Sequence, residues 1–149
     1  MQYQRVEQGR VWVVRLETGE VLHEQIEAIA RREEIQAAVC FALGGAAGKS
    51  RIVTGPENPD ISEIVPQVLE LQNVHETVAV GTIFPDETGA PVVHMHGVFG
   101  RGEEAHAGCV RTGVITWLVN EIVILELTHC TAYRKRDADS GLELLAIDE

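Results

Sequence analysis

Short β-rich runs separated by glycine, proline and aspartate turns, with one amphipathic helix near the N-terminus, predict an α+β fold dominated by antiparallel sheet. Val11–Leu16 is β-branched and aromatic and opens the sheet, closed off by the turn at Thr18-Gly19. From Glu20 to Glu34, Leu22, Ile26, Ile29 and Ala30 recur at steps of three and four, the apolar stripe of one helix. Its charges Glu24, Glu27, Arg31 and Arg32 are expected on a solvated face. The continuous apolar run Ala37–Leu43 predicts a strand buried on both faces. Gly44–Ser50 looks like a phosphate-binding loop, but Leu43 stands where the Walker pattern needs a glycine. Arg51–Thr54, which follows, is strand-like rather than helical, so a glycine-rich turn is predicted and nucleotide binding is disfavoured.

Gly55–Asp60 is a loop by composition. Strands are expected at Gln67–Leu71 and Thr77–Phe84, followed by the turn Pro85–Gly89, then at Val92–Phe99, around His106 and from Asn120 to Leu127. The chain closes with a polar stretch, Arg134–Ser140, and a last apolar segment, Gly141–Leu145. No repeat or internal boundary interrupts residues 1–149, which predicts a single domain.

Composition narrows the function. With 149 residues and 45% apolar content the chain can bury a real core. Its longest apolar stretch, Val114–Val119, is far short of a membrane span, and the N-terminal residues lack a secretory pattern. Cys40, Cys109 and Cys130 suit neither a disulfide framework nor a thiolate zinc motif, which predicts a cytoplasmic protein. The net charge of −11 weighs against autonomous DNA binding, because such surfaces gather Lys and Arg against phosphate.

The chemistry-bearing segment is Val92-Val93-His94-Met95-His96-Gly97-Val98-Phe99. Period-two alternation puts His94 and His96 on one face of the strand. A three-residue hairpin loop at Gly100-Arg101-Gly102 would set Phe99 opposite Glu103, His96 opposite His106, and Gly108 opposite His94. Three imidazoles would then converge beside the space left by a glycine, a divalent metal site with an open coordination position. In that register Cys109 is out of phase and points away. Glu76, Glu121, His75 and His129 are candidate bases or supporting partners of such a site. Val110–Leu127 carries more large apolar side chains than a small sheet with one helix can cover, which predicts an oligomer interface.

The order of these pieces resembles the plant and prokaryote conserved (PPC) domain family over nearly the whole chain. The resemblance rests on Thr18-Gly19-Glu20 before the helix, on Phe41-Ala42-Leu43-Gly44-Gly45-Ala46, and on His94-x-His96 followed by Ala105-His106-Ala107-Gly108. The closing segment Arg134–Leu145 is also similar. The resemblance implies a homotrimer and a divalent metal, zinc, carried over to His94, His96 and His106. It also implies a DNA-binding or regulatory role, although the Arg-Gly-Arg-Pro core of an AT-hook is missing from these residues. Where the family typically has Gly-Gly-His-Leu, this chain has Glu104-Ala105-His106-Ala107. The competing reading is a small zinc-dependent enzyme, hydrolase-like, using the open coordination position.

Overall fold

The computed structural model describes residues 1–61 and 63–148. Strands are β1 (Glu7–Glu17), β2 (Ala38–Ala46), β3 (Arg51–Pro56), β4 (Pro66–Glu70), β5 (His75–Pro85), β6 (Pro91–Arg101), β7 (Glu104–Cys109) and β8 (Thr116–Thr128). They form one antiparallel sheet in the order β1-β8-β2-β5-β6-β7-β3-β4. Helix α1 (Leu22–Arg32) follows β1, and a 3-10 turn at Val110–Thr112 ends β7. The α+β expectation, mainly antiparallel with one principal helix, describes this architecture.

The helix forms where the apolar stripe predicts. Leu22, Ile26 and Ala30 are fully buried at four-residue spacing, with Glu24 in the first turn and Arg31 and Arg32 in the last, as the helix dipole favours. One of its charges departs from the solvated face assigned to it. Glu27 accepts the backbone N–H of Val93 at 3.1 Å, which ties the helix to β6. Under the helix, the inner face of the sheet contributes Cys40, Ile83, Met95, Phe99, Ile122 and Ile124 to the core.

Two strand expectations need correction. Ala38, Cys40 and Ala42 are buried, but the intervening Phe41 and Leu43 are 42% and 56% exposed, so β2 is buried on one face only. Its uninterrupted apolarity therefore serves an outer face that this chain does not cover. Near the C-terminus, Ala132–Arg136 is a strand, β9, although the sequence there is polar. It pairs antiparallel with β10 (Glu143–Ile147), Arg134 standing opposite Leu145. Of the turn expected at Gly44–Ser50, Gly44, Gly45 and Ala46 instead continue β2, and Ala47–Ser50 turns directly into β3, the strand that Arg51–Thr54 predicts.

Gly108 has a structural role. It stands opposite Gly97, and a Cβ there would lie 2.6 Å from the carbonyl oxygen of Val53, so its lack of a side chain lets β3 approach β7. Substituting Gly108→Ala must push β3 outward, and a loss of about 1–3 kcal/mol is expected by urea denaturation. Ile26→Ala, which leaves a cavity between helix and sheet, is expected to cost about 2–5 kcal/mol in the same measurement.

Candidate metal centre

Strand β6 alternates strictly. Val93, Met95, Gly97 and Phe99 face the core, whereas His94, His96 and Val98 face outward. The outer face carries a row running across six strands, Val13–Val123–Phe41–Val80–His96–Cys109, each residue paired with the next. A neighbouring row places Val39, Thr82 and His94 side by side. The two histidines thus sit at the end of an apolar band, on strands whose inner faces are fixed by the core.

The hairpin register differs from the sequence expectation by three residues. Arg101 pairs with Glu104, leaving a two-residue loop of Gly102 and Glu103, with Gly102 at φ +60°. A glycine at the first position of a two-residue loop suits a type II′ turn, whose twist matches the strands it joins. Because the shift is odd, it exchanges the faces of β7. Phe99 now stands opposite His106, and His96 opposite Cys109.

The structure therefore brings together His94, His96 and Cys109, whose donor atoms all lie within 4.8 Å of one another. The two histidine Nε2 atoms are 3.1 Å apart and the rings meet edge to face. His106 stands elsewhere, opposite Phe99, with its ring 6.2 Å from that of His75. His75 is buried, its Nδ1 3.2 Å from the carbonyl oxygen of Asn73. Of the other partners suggested by the sequence, His129 is exposed beside Glu7, while Glu76 and Glu121 lie further along β5 and β8. None of Glu76, Glu121, His75 and His129 lines the cavity at the histidine pair.

That cavity, about 860 Å³, opens between β3, β5, β6 and β7, with Val78, Val80, Val98 and Leu142 among its walls and Arg111 at its rim. Arg111 and Arg134 stand near the histidine pair, and sequence reading does not assign either to it. Arg134 lies on β9 and donates to Thr82 Oγ1 at 2.8 Å, and Thr82 is the cross-strand partner of His94. A β9 strand folding back beside β5 leaves no mark in a segment read as polar loop. For Cys109 the signal exists: Gly102-Glu103 is itself a turn signature, and it puts Cys109 in phase with His96.

The donor set suits a borderline-soft divalent ion. Tetrahedral zinc spaces imidazole nitrogens about 3.3 Å apart, close to the 3.1 Å between the two Nε2 atoms, and accepts a thiolate at a slightly longer bond. Burial first, then Arg134, Arg111 and His96, hold the His94 imidazole down to about 4, so its ring is neutral and its lone pair free at neutral pH. Cys40 is different: deep in the core, its thiol is pushed up to about 12 by burial, which leaves it inert.

A His94 value below the ordinary ~6.5 means that the folded state resists a proton the unfolded chain accepts. The metal-free protein should therefore lose stability as pH falls from about 6.5 through the folded value of about 4. His94→Gln should flatten that acid limb in denaturation midpoints measured across the window.

Comparison with known proteins places this geometry in a family. The model of the Plants and Prokaryotes Conserved (PCC) domain matches residues 3–128. A PPC protein from Pyrococcus horikoshii is 25% identical, covers 100% of this chain and 99% of its own, and superposes with a TM-score of 0.83. A metal-containing protein from Archaeoglobus fulgidus is also 25% identical, over 98% of this chain and 99% of its own, with a TM-score of 0.80. A candidate DNA-binding protein from Bacteroides thetaiotaomicron shares the fold at 16% identity, over 95% and 97%, with a TM-score of 0.78. No curated protein sequence matches significantly. The chain belongs to the Plants and Prokaryotes Conserved (PCC) domain family.

Proposed function

We propose that this chain is a self-associating, metal-binding PCC module with a regulatory role, and that the ion it holds is zinc. The observation that carries the proposal is the convergence of His94, His96 and Cys109 within 4.8 Å. It supports Cys109 as the third ligand in this proposal, since His106 stands opposite Phe99 on the other side of the sheet. The metal-containing Archaeoglobus protein supports the presence of an ion in this fold. When bound, zinc would supply Lewis acidity at a position that three protein ligands leave open.

Self-association is supported by the outer face. Val13, Phe41, Leu43 and Val123 are between 37% and 83% exposed on adjoining strands, a contiguous apolar surface of the kind that a second copy covers. The assembly we propose is the homotrimer that the family resemblance implies, each copy working as one domain. Three free cysteines suit a reducing compartment such as the cytoplasm, and no helix among the described residues is long and apolar enough to cross a membrane. DNA association is supported by the description of the Bacteroides neighbour, while the net charge of −11 opposes DNA binding by this chain alone. The second reading, a small zinc-dependent enzyme of hydrolase type, is favoured by the cavity that opens at the histidine pair.

Protein purified without an affinity tag should contain one zinc per chain by elemental analysis, and His94→Ala or His96→Ala should lose it. Retention of zinc in both variants would remove the site. In sedimentation the mass should be three chains, and Phe41→Asp should release folded monomers with an unchanged circular dichroism spectrum. A salt titration of DNA binding is expected to show weak association without the steep slope of many phosphate contacts. Turnover of ester, phosphoester or amide substrates that disappears with His96→Ala would favour the enzyme instead.

A further inference from the structure

Arg134 is an unusual residue for an exposed two-stranded ribbon. It is 6% exposed, its Nη2 donates to Thr82, and its guanidinium carbon lies 5.5 Å from the centroid of the Phe84 ring. Its Nε is buried without a hydrogen-bond partner, and among the described residues it makes no ion pair. A buried charged donor left unpaired is costly, so negative charge brought near this guanidinium would be stabilising. Arg111 adds a second guanidinium at the cavity rim and is likewise outside every ion pair found among the described residues. Burial first, then Arg111, lowers the Arg134 value, with only the exposed Glu143 opposing them. In a chain of net charge −11, Arg111 lines one cavity with His94 and Arg134 is bound to Thr82, the cross-strand partner of His94, so positive charge gathers on this side of the sheet.

The rest of the cavity decides what kind of anion. Val78, Val80, Val98 and Leu142 offer no hydrogen bonds, and the lining hydroxyls of Thr54 and Thr112 already donate to the carbonyls of Gln67 and Arg51, so a nucleotide would leave much of its base and sugar unsatisfied there. A hydrocarbon tail would not. We propose that this cavity binds a small organic carboxylate, its carboxyl group held by Arg111 beside His94 and its apolar body lying along Val78, Val80 and Val98, while Arg134, bound to the cross-strand partner of His94, adds positive charge from outside the lining. The carboxylate would offer a planar, bidentate acceptor to a guanidinium fork, the pairing in which arginine is strongest. It would also lie within reach of the position that three protein ligands leave open on a bound ion. The inference deepens the proposed metal module and rests on it for that last contact only, because the arginines are in place without the ion.

Calorimetric titration of the zinc-loaded protein with octanoate, octanol and inorganic phosphate tests this. Octanoate is expected to bind at least tenfold more tightly than octanol, and Arg111→Gln, at an exposed position, should weaken octanoate at least tenfold while leaving octanol and zinc content unchanged. Arg134→Gln, which removes the charge against Thr82, should weaken octanoate in the same direction but by less. Equal affinity for octanol and octanoate would overturn the proposal, as would tighter binding of phosphate or an Arg111→Gln variant that binds octanoate normally. Should the protein take up no zinc, the metal reading falls separately. Octanoate binding to that metal-free protein, lost in Arg111→Gln, would still uphold the carboxylate site, and its absence would overturn it.

Discussion

The pairing of β6 with β7 through a two-residue turn is the constraint on which the site depends. A strand offers its side chains alternately to two faces, so a hairpin decides by parity alone which residues of one strand accompany the histidines of the other. With Gly102 and Glu103 as the loop, Cys109 is drawn to His96 and His106 is sent to stand against Phe99. An even displacement of the same hairpin would have kept faces and changed only neighbours. Small residues then let the layers close around that pairing: Gly97 faces Gly108, and β3 lies against the space where a side chain on Gly108 would project.

The fold itself was largely legible. The stripe of Leu22, Ile26 and Ala30 locates the helix, and alternating or apolar runs locate most strands, because burial against one core imposes a period that sequence preserves. Two places were not. Ala37–Leu43 reads as buried on both faces because Phe41 and Leu43 are as apolar as Cys40 and Ala42. Sequence records the hydrophobicity of a face but not whether the same chain or another copy covers it. Arg134–Ser140 reads as a polar stretch, and so hides the end of β9, because its Arg134, Lys135 and Arg136 give no apolar alternation although Ala132 and Arg134 are buried.

The site was legible in part, for a sharper reason. His94 and His96 belong to one strand, so their shared face needs no knowledge of the turn. The third donor lies across a hairpin, where a loop assigned three residues instead of two reverses the result. The Gly-x signature of the turn was present but competes with the earlier glycine at Gly100, which is free of strain at that position. Arg134 is harder still, since it reaches Thr82 from a strand 52 residues later in the chain, and no local pattern encodes that return. Such long-range placements set the electrostatics of the site: the low proton affinity of His94 comes from burial and from two arginines remote in sequence.

The identity of the third donor is best tested by the absorption spectrum of the cobalt(II)-substituted protein. A thiolate bound to cobalt produces an intense near-ultraviolet charge-transfer band that imidazole does not. The account predicts that band in the parent protein and in His106→Ala, and its loss in Cys109→Ala. A band that survives in Cys109→Ala, or metal uptake that vanishes in His106→Ala, would contradict the account.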